Sequence, residues 1–517
     1  MSLNLTKAVS RIPTLFIGLT LGVVFTFSVN SGSVAHAFDL DWSGQFWAED
    51  HMVRGYALDS ANVTPDAARV GKGGYYIPGG GDAHASFQTL FLRLKPKVIV
   101  NDNLFIKSEW WAGDPLTGFF GSGYPYGIDQ RQFYSNQSRG SALTVQRVWA
   151  ELLTDVGVVQ VGRAPLHWGL GLVWNSGDKL YDRYQTTGDT VRLLSKFGAF
   201  TFSPAFIKYS TGNNIGGACT GAVPCTPIGG FGGLNEYSLV MKYENPDEDF
   251  EGGVNFVRRV SGAAQDPIWG TFGALGAPAS LNYNVWDIYG KKKWGGLSFG
   301  AEVPITAGDI GGIPYKTFAL ATEADWKINS SFETYAKFGL APGQPNDTSA
   351  TPAQIKSFYF NPNYKMGMMM FNYQFANFAG PNTSNNPGNA AAVLRSPYDN
   401  PITNATYYSF GGAYHLDKWD FSGLFSFANA QQAAVDGQFF YNTWEKKFYA
   451  DASGLSQKTF LGWEMDYGIG LRWDDNFTFN FDLGWYFPGA FYKFSNTAVE
   501  NPISSVFGAV LKAGIQF

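Results

Sequence analysis

The residues of this chain that could do chemistry are few and scattered. Gly296-Leu297-Ser298-Phe299-Gly300 matches the nucleophile-elbow pattern. An elbow needs a strand, a sharp turn and a helix to present its serine. Here the five residues lie within an alternating stretch just after a tight turn, so a strand is expected and no nucleophile. His51, His84, His167 and His415 are dispersed, with no H-E-x-x-H and no metal-ligand spacing. No glycine loop of the phosphate-cradling kind occurs. The sequence thus predicts no catalytic residue, no metal, no cofactor and no enzyme. Cys219 and Cys225 sit in ACTGAVPC, without a nearby histidine. In an exported chain that spacing predicts a disulfide closing a small loop, with a pair of metal ligands as the alternative.

What remains is charge, and it is patterned. Leu90, Leu92, Leu94, Pro96, Val98 and Val100 occupy every second position, with Arg93, Lys95 and Lys97 between them. After Asn101-Asp102-Asn103, Leu104, Ile106 and Trp110 alternate with Lys107 and Glu109. A period of two is a strand with one apolar and one wet face. Taken strand by strand, the wet faces of strands two to six carry Arg93, Lys95, Lys97, Lys107, Arg147, Arg192 and Lys196, with Glu109 and Glu151 as the acids. Strands eleven to thirteen carry Glu302, Glu323, Asp325 and Glu333, against Lys327 and Lys337. Glu464, Asp466 and Asp482 add acid near the end of the chain, against Arg472. If these faces line a pore, a basic wall looks across at an acidic one, and charged walls select permeant solutes. The alternative is that these groups pair with each other and fill a wet interior.

The elements that must position them are read from turns and loops. Eight short turns fall at 101–103, 154–157, 197–198, 245–249, 294–296, 328–331, 417–420 and 474–476. Nine longer Gly- and Asn-rich segments fall near 51–84, 114–140, 172–188, 211–235, 262–281, 307–315, 342–406, 431–459 and 488–505. Seventeen connections join eighteen strands. Short periplasmic turns alternating with long extracellular loops are the build of an outer-membrane barrel. The expected fold is therefore an all-β transmembrane antiparallel β-barrel of about 18 strands, with sixteen or twenty as alternatives. Met366 to Phe378 (MGMMMFNYQFANF) could make two more strands or a short helix. A single further crossing would reverse every later turn, so the stretch is assigned to the long loop 342–406, where it can fold into the lumen.

Both ends of the chain agree. Lys7 and Arg11 precede an apolar core from Leu15 to Val29, and Ala35-His36-Ala37 is a small-x-small cleavage site. Residues 1–37 read as a cleaved signal peptide, and 38–517 as the barrel. Val506 to Phe517 alternates again, with Phe507, Ala509, Leu511, Ala513, Ile515 and Phe517 on the apolar face. An amphipathic closing strand ending on an aromatic residue is what barrel-assembly machinery reads, so Phe517 is the expected assembly signal. Composition fits: 17% aromatic, only 15% charged, with 62 glycines and 44 phenylalanines. Soluble domains are about a quarter charged. Mean hydropathy is -0.13, as alternating strands average out. A net charge of -5 gives nucleic acid no reason to bind.

Gly162-Arg163-Ala164-Pro165-Leu166-His167-Trp168-Gly169-Leu170-Gly171, then Asn175, Gly177 and Gly188-Asp189-Thr190-Val191-Arg192, resembles a family of large outer-membrane barrels that carry GR-x-P-x-x-WGLG, N-x-G, GDT and an arginine. That family pattern places an acid directly before the arginine, and this chain has Val191. Gly462-Trp463-Glu464-Met465-Asp466, Asp475-Asn476 and Phe487-Pro488-Gly489 resemble the closing hairpin of alginate-export-type porins, which are eighteen-stranded. Two roles are open for the first stretch. Its glycines and Pro165 can bend and end a strand, or Arg163 can face the lumen and shape a constriction.

The resulting expectation is a Gram-negative outer-membrane, porin-like channel for passive diffusion of small hydrophilic solutes. Its partners would be the lipid bilayer, the assembly machinery and small polar solutes. An alginate-like polysaccharide exporter and a plugged structural or adhesive barrel are the alternatives.

Overall fold

The computed structural model describes residues 39–55, 58, 84–113, 143–209, 234–261, 281–373, 375, 400–442, 447–451, 454–494, 500 and 503–517. The signal segment, Cys219 and Cys225 lie outside the described residues. The strands are β1 (Asp39–Arg54), β2 (His84–Asn101), β3 (Leu104–Gly113), β4 (Thr144–Thr154), β5 (Gly157–Pro165), β6 (Thr187–Phe197), β7 (Phe200–Lys208), β8 (Asn235–Asn245), β9 (Phe250–Ser261), β10 (Leu281–Trp294), β11 (Leu297–Ile310), β12 (Ile313–Phe318), β13 (Leu320–Lys327), β14 (Phe332–Ala341), β15 (Ala405–Leu416), β16 (Trp419–Asn429), β17 (Phe439–Asn442), β18 (Lys447–Ala450), β19 (Phe460–Arg472), β20 (Phe477–Pro488) and β21 (Val506–Gln516).

All but β17 and β18 belong to one sheet of antiparallel neighbours, and β17 and β18 form a separate hairpin. The sheet closes on itself, because β21 returns to pair with β1 from Gln45↔Gln516 to Arg54↔Phe507. β12 and β13 both pair with β11, one beyond the other, and are two halves of a single crossing interrupted at Ala319. The nineteen segments therefore make a closed barrel of eighteen strands.

The eight short turns fall where alternation places them. One expected long loop is absent: residues 307–315 contain the two-residue turn Gly311-Gly312. Both glycines have positive φ (61° and 78°), the backbone that a twisted two-residue hairpin requires. A glycine-rich run reads as a loop from composition alone, yet this pair makes a two-residue connection.

Alternation sets the two faces. Val161, Val191, Phe206, Trp286, Ile305, Phe410 and Ile469 stand exposed on the outside. Arg93, Arg147, Glu236, Asp287, Glu302 and Glu464 are buried on the inside. Soluble monomers seldom expose contiguous apolar patches beyond a few hundred Å², whereas a barrel in lipid requires an apolar outer face. At the short-turn end this face carries Trp42, Phe197, Phe200, Trp294, Trp326, Trp419, Trp473 and Phe517, all exposed. Tryptophan and its aromatic relatives favour membrane–water boundaries, where an apolar ring meets a wet edge.

Closure extends one residue past β21. Gly44 N–H donates to the Phe517 carbonyl at 2.8 Å, and Phe517 N–H donates to the Gly44 carbonyl at 3.1 Å. Deleting Phe517 removes both bonds and an outward aromatic at the seam. The expected result is slower folding into outer membranes, seen as loss of the compact, heat-modifiable band on a gel. An unchanged band and unchanged surface level would contradict this role.

Candidate functional site

The inward side chains do not line an empty tube. Two connections fold in against them. The first spans residues 166–186, between β5 and β6. Its Leu166, Trp168, Leu172 and Trp174 are almost wholly buried. On one side it rests on β2 and β4. Arg93 Nη1 donates to the Gly177 carbonyl at 2.7 Å and its Nη2 to that of Asp182 at 3.3 Å. Arg147 donates to the Ser176 carbonyl and lies 3.2 Å from Glu109 and 3.4 Å from Asp178. Lys95 meets Asp178 at 2.9 Å. Burial by itself would raise the Asp178 carboxyl, but the Lys95 hydrogen bond and the charges of Lys95 and Arg147 hold it below the usual range.

On its other side the same segment rests on acids of β8 and β11. The Glu302 carboxylate accepts the backbone N–H groups of Leu170, Gly171 and Leu172, the last two at 3.0 Å. A side chain at Gly169 would sit 2.5 Å from that carboxylate, and its φ is +57°. The Trp-Gly-Leu-Gly stretch is thus built for a close backbone approach. Trp174 Nε1 donates to Glu236 at 2.9 Å, and Trp168 Nε1 to the Asp287 carbonyl at 3.0 Å. Arg259 holds Glu236 through two hydrogen bonds at 2.8 and 2.6 Å. Since β2 and β4 anchor one side and β8 to β11 the other, this segment crosses the lumen.

The second inward segment lies in residues 343–373, between β14 and β15. Its Phe358, Phe360, Tyr364, Met366, Met369, Met370 and Tyr373 form an apolar cluster with inward residues of the wall, including Tyr407 and Tyr486. It too is tied by carboxylates. Met368 N–H donates to Asp466 at 2.8 Å, and Met370 N–H to Glu464 at 2.6 Å. A side chain at Gly367 would meet Glu464 at 1.5 Å, so only glycine fits there. The two segments also hold each other. Asn363 accepts from the N–H of Tyr184 at 3.0 Å and donates to its carbonyl at 2.6 Å, while Asn361 N–H donates to the Leu172 carbonyl at 2.7 Å.

Polar space remains beside these segments. A cavity of about 380 Å³ is bounded by Glu49, Arg183, Lys365, Asp482 and Lys512, with the rings of Tyr181 and Tyr373. A second, of about 280 Å³, is bounded by Lys95, Lys97, Lys107, Arg147, Asp41 and Asp178.

The sequence-assigned charges divide into three groups. Lys107 pairs with Glu151 at 2.8 Å, and Gln160 links that acid to Arg192, whose Nε is 2.9 Å from it. Lys97 lies over the Phe105 ring at 5.0 Å, and Lys196 is exposed near the short-turn rim. On the acidic side Glu323 pairs with Lys337 at 2.9 Å, Glu333 lies 3.6 Å from His415, and Asp482 pairs with Lys512 at 2.8 Å. Asp325 is exposed on the same inner face. In the second group are Arg93, Arg147, Glu302, Glu464 and Asp466. They point inward but lie beneath the two segments, where they hold backbone instead of facing solute. Arg163 makes the third group and does not face the lumen. It shares the face of exposed Val161, outward, and forms a two-point pair with Asp189 at 2.8 and 3.1 Å. Gly162 has positive φ, but pairing continues through it without a register shift, so no bulge turns Arg163 inward.

Glu236, Arg259, Glu49, Arg183 and Asp287 carry the same architecture and escaped the sequence reading. Glu49 accepts from Thr89 at 2.9 Å and pairs with Arg183. Their signal was present in alternation, but Arg183 belongs to a connection whose path only tertiary structure defines. Ser298 lies within β11, in a strand and not at a strand-to-helix turn. No cluster of three or more potential metal ligands occurs among the described residues.

The barrel has relatives in form. OccK2 (OpdF) of Pseudomonas aeruginosa aligns with a TM-score of 0.47 and 7% identity, over 92% of this chain and 98% of that one. OccK9 (OpdG) of the same organism gives 0.45 and 11%, over 92% and 99%. OmpT, an outer membrane protein of Vibrio cholerae, gives 0.36 and 9%, over 94% and 99%. No protein-family model matches the sequence, and no curated protein matches it.

Proposed function

We propose that this chain is an outer-membrane, porin-like channel through which small hydrophilic solutes diffuse past a charged constriction. The carrying observation is the inverted barrel itself: an apolar outer face around a lumen lined by ionisable and polar side chains. Polar cavities remain where two inward segments narrow that lumen. A pore of this build discriminates by charge and size, because a solute leaving water must find polar groups on the walls. The basic groups Lys97, Lys107, Arg192 and Lys196 lie across from Glu323, Asp325 and Glu333. Such opposed walls favour polar and hydrated solutes over apolar ones. An exporter of a polyanion would be served by a lumen of one sign, and this one is mixed.

The apolar packing of Met366, Met369, Met370 and Tyr373 inside the barrel supports a second reading, a plugged surface barrel. Planar-bilayer recording separates the two. The channel reading expects discrete, ohmic current steps from the purified full chain. A silent barrel that conducts only after residues 366–373 are replaced by a short glycine-serine linker would support the plug instead.

A further inference from the structure

The long-loop end of the outer face is of two kinds. On β14 to β21 it is aromatic. Ring centroids of Phe338 and Tyr408 lie 5.1 Å apart, Tyr408 and Phe427 4.9 Å, Trp463 and Phe487 4.1 Å, and Trp485 and Phe507 5.0 Å. On β5 to β12 the same level is charged. Arg163 pairs with Asp189, and Asp189 stands opposite Lys208, both across strands. Lys208 stands opposite Asn235. Next along the ring, Arg258 donates to Asn282 at 3.3 Å, and Asn282 donates to Asp309 at 3.1 Å. Exposed Lys316 follows on β12, opposite Ala307. Immediately below stand Val161, Val191, Phe206, Tyr237, Trp286, Ile305 and Phe318, which are exposed and mostly apolar.

This row does not belong to the lumen, since every member shares the face of those apolar side chains. It is also unbalanced. Arg163, Lys208, Arg258 and Lys316 oppose Asp189 and Asp309, and only Arg163 has an ion pair among the described residues. Cations placed directly above an apolar band lie at the depth of lipid headgroups, where anionic groups attract them. A second copy of the chain fits less well. A two-fold interface repeats the same patch on both sides, setting one net-positive surface against another.

We propose that the outer rim of β5 to β12 seats phosphate-bearing headgroups of the surrounding lipid. The Lys208, Arg258 and Lys316 side chains supply the charge, and Asn235 and Asn282 lie between them. The proposal rests on the reading of the chain as a membrane barrel. It adds that the lipid ring around the barrel is uneven, enriched in anionic lipid along this arc.

The test uses the full chain in nanodiscs of equimolar phosphatidylglycerol and phosphatidylcholine, transferred to mild detergent. Retained lipid is counted by native mass spectrometry. Phosphatidylglycerol should be retained severalfold over phosphatidylcholine. Lys208→Gln, Arg258→Gln and Lys316→Gln together should bring the two lipids to parity, while Lys208→Arg with Lys316→Arg should keep the preference. If the triple variant does not assemble, Arg258→Gln alone serves, since that side chain is exposed and bonds to Asn282 at the rim, and it should lower the ratio measurably. Equal retention by the native chain overturns the proposal, as does an unchanged ratio in the variants. So does a dimer mass that the triple variant abolishes, which would assign the rim to a second copy. A chain that never enters the nanodisc overturns the membrane reading itself, a result distinct from parity within it.

Discussion

Replacing Glu302 with alanine is expected to enlarge the current through single barrels and make it noisier. Glu302 is fully buried and holds three consecutive N–H groups of the segment that crosses the lumen. A hydrogen bond contributes about 0.5–1.5 kcal/mol net, and a stranded buried donor costs about 1–3 kcal/mol. Bonds held by one group are not additive, so a net loss of about 3 kcal/mol is a fair expectation. At tenfold per 1.4 kcal/mol, the undocked state gains on the order of a hundredfold. The barrel should survive, because no ladder bond depends on the side chain. Planar-bilayer conductance and protease cleavage between residues 166 and 186 report the release. Glu302→Gln keeps an acceptor oxygen and should fall between native and alanine. Native conductance together with native protease resistance in the alanine variant would contradict the anchoring role.

The second large effect is on ion preference. Changing Lys97, Lys107 and Lys196 to glutamine should shift the reversal potential under a salt gradient towards cations. Changing Glu323, Asp325 and Glu333 to their amides should shift it towards anions. Arg93 and Arg147 are unsuited to this test, because their loss would strand the carbonyls of Ser176, Gly177 and Asp182. Unit charges about 4 Å apart interact by ~1 kcal/mol in bulk water and by ~4 kcal/mol at an effective dielectric near 20. Permeability ratios should therefore move severalfold, most clearly below about 0.1 M salt, where screening extends beyond ~10 Å. Identical reversal potentials in both variants would mean that ions bypass these walls.

The barrel was legible in the sequence because its rule is local. Alternation at Leu90 to Val100 needs no distant partner to be seen, and the eight short turns are marked by Asn, Asp and Gly. The lumen was less legible for the same reason. Whether Arg93 faces solute or a carbonyl depends on where Gly177 travels, and no period encodes that path. Gly169 and Gly171 were visible as unusual residues at a strand root. Their purpose became visible only with Glu302 beside them, 130 residues away. Arg163 failed differently: its pairing with Asp189 outside the barrel follows strict alternation, which a place in the lumen would have broken. Gly311-Gly312 shows composition misleading in the opposite direction, since two glycines there shorten a connection.

The seam between β1 and β21 bears on how such a chain comes to be folded. Every other ladder in the barrel joins consecutive crossings of the sheet, and those linked by short turns can zip as hairpins within microseconds. The seam instead brings Gln45 to Arg54 against Phe507 to Gln516, a contact spanning nearly the whole chain. Contacts this distant bear a large loop-closure entropy and slow folding. Until they form, β1 and β21 are two exposed edges, each a template for pairing with another copy. A nascent sheet of seventeen finished ladders is thus an aggregation hazard, and closing the last one is the step at which a chaperone or template would matter most.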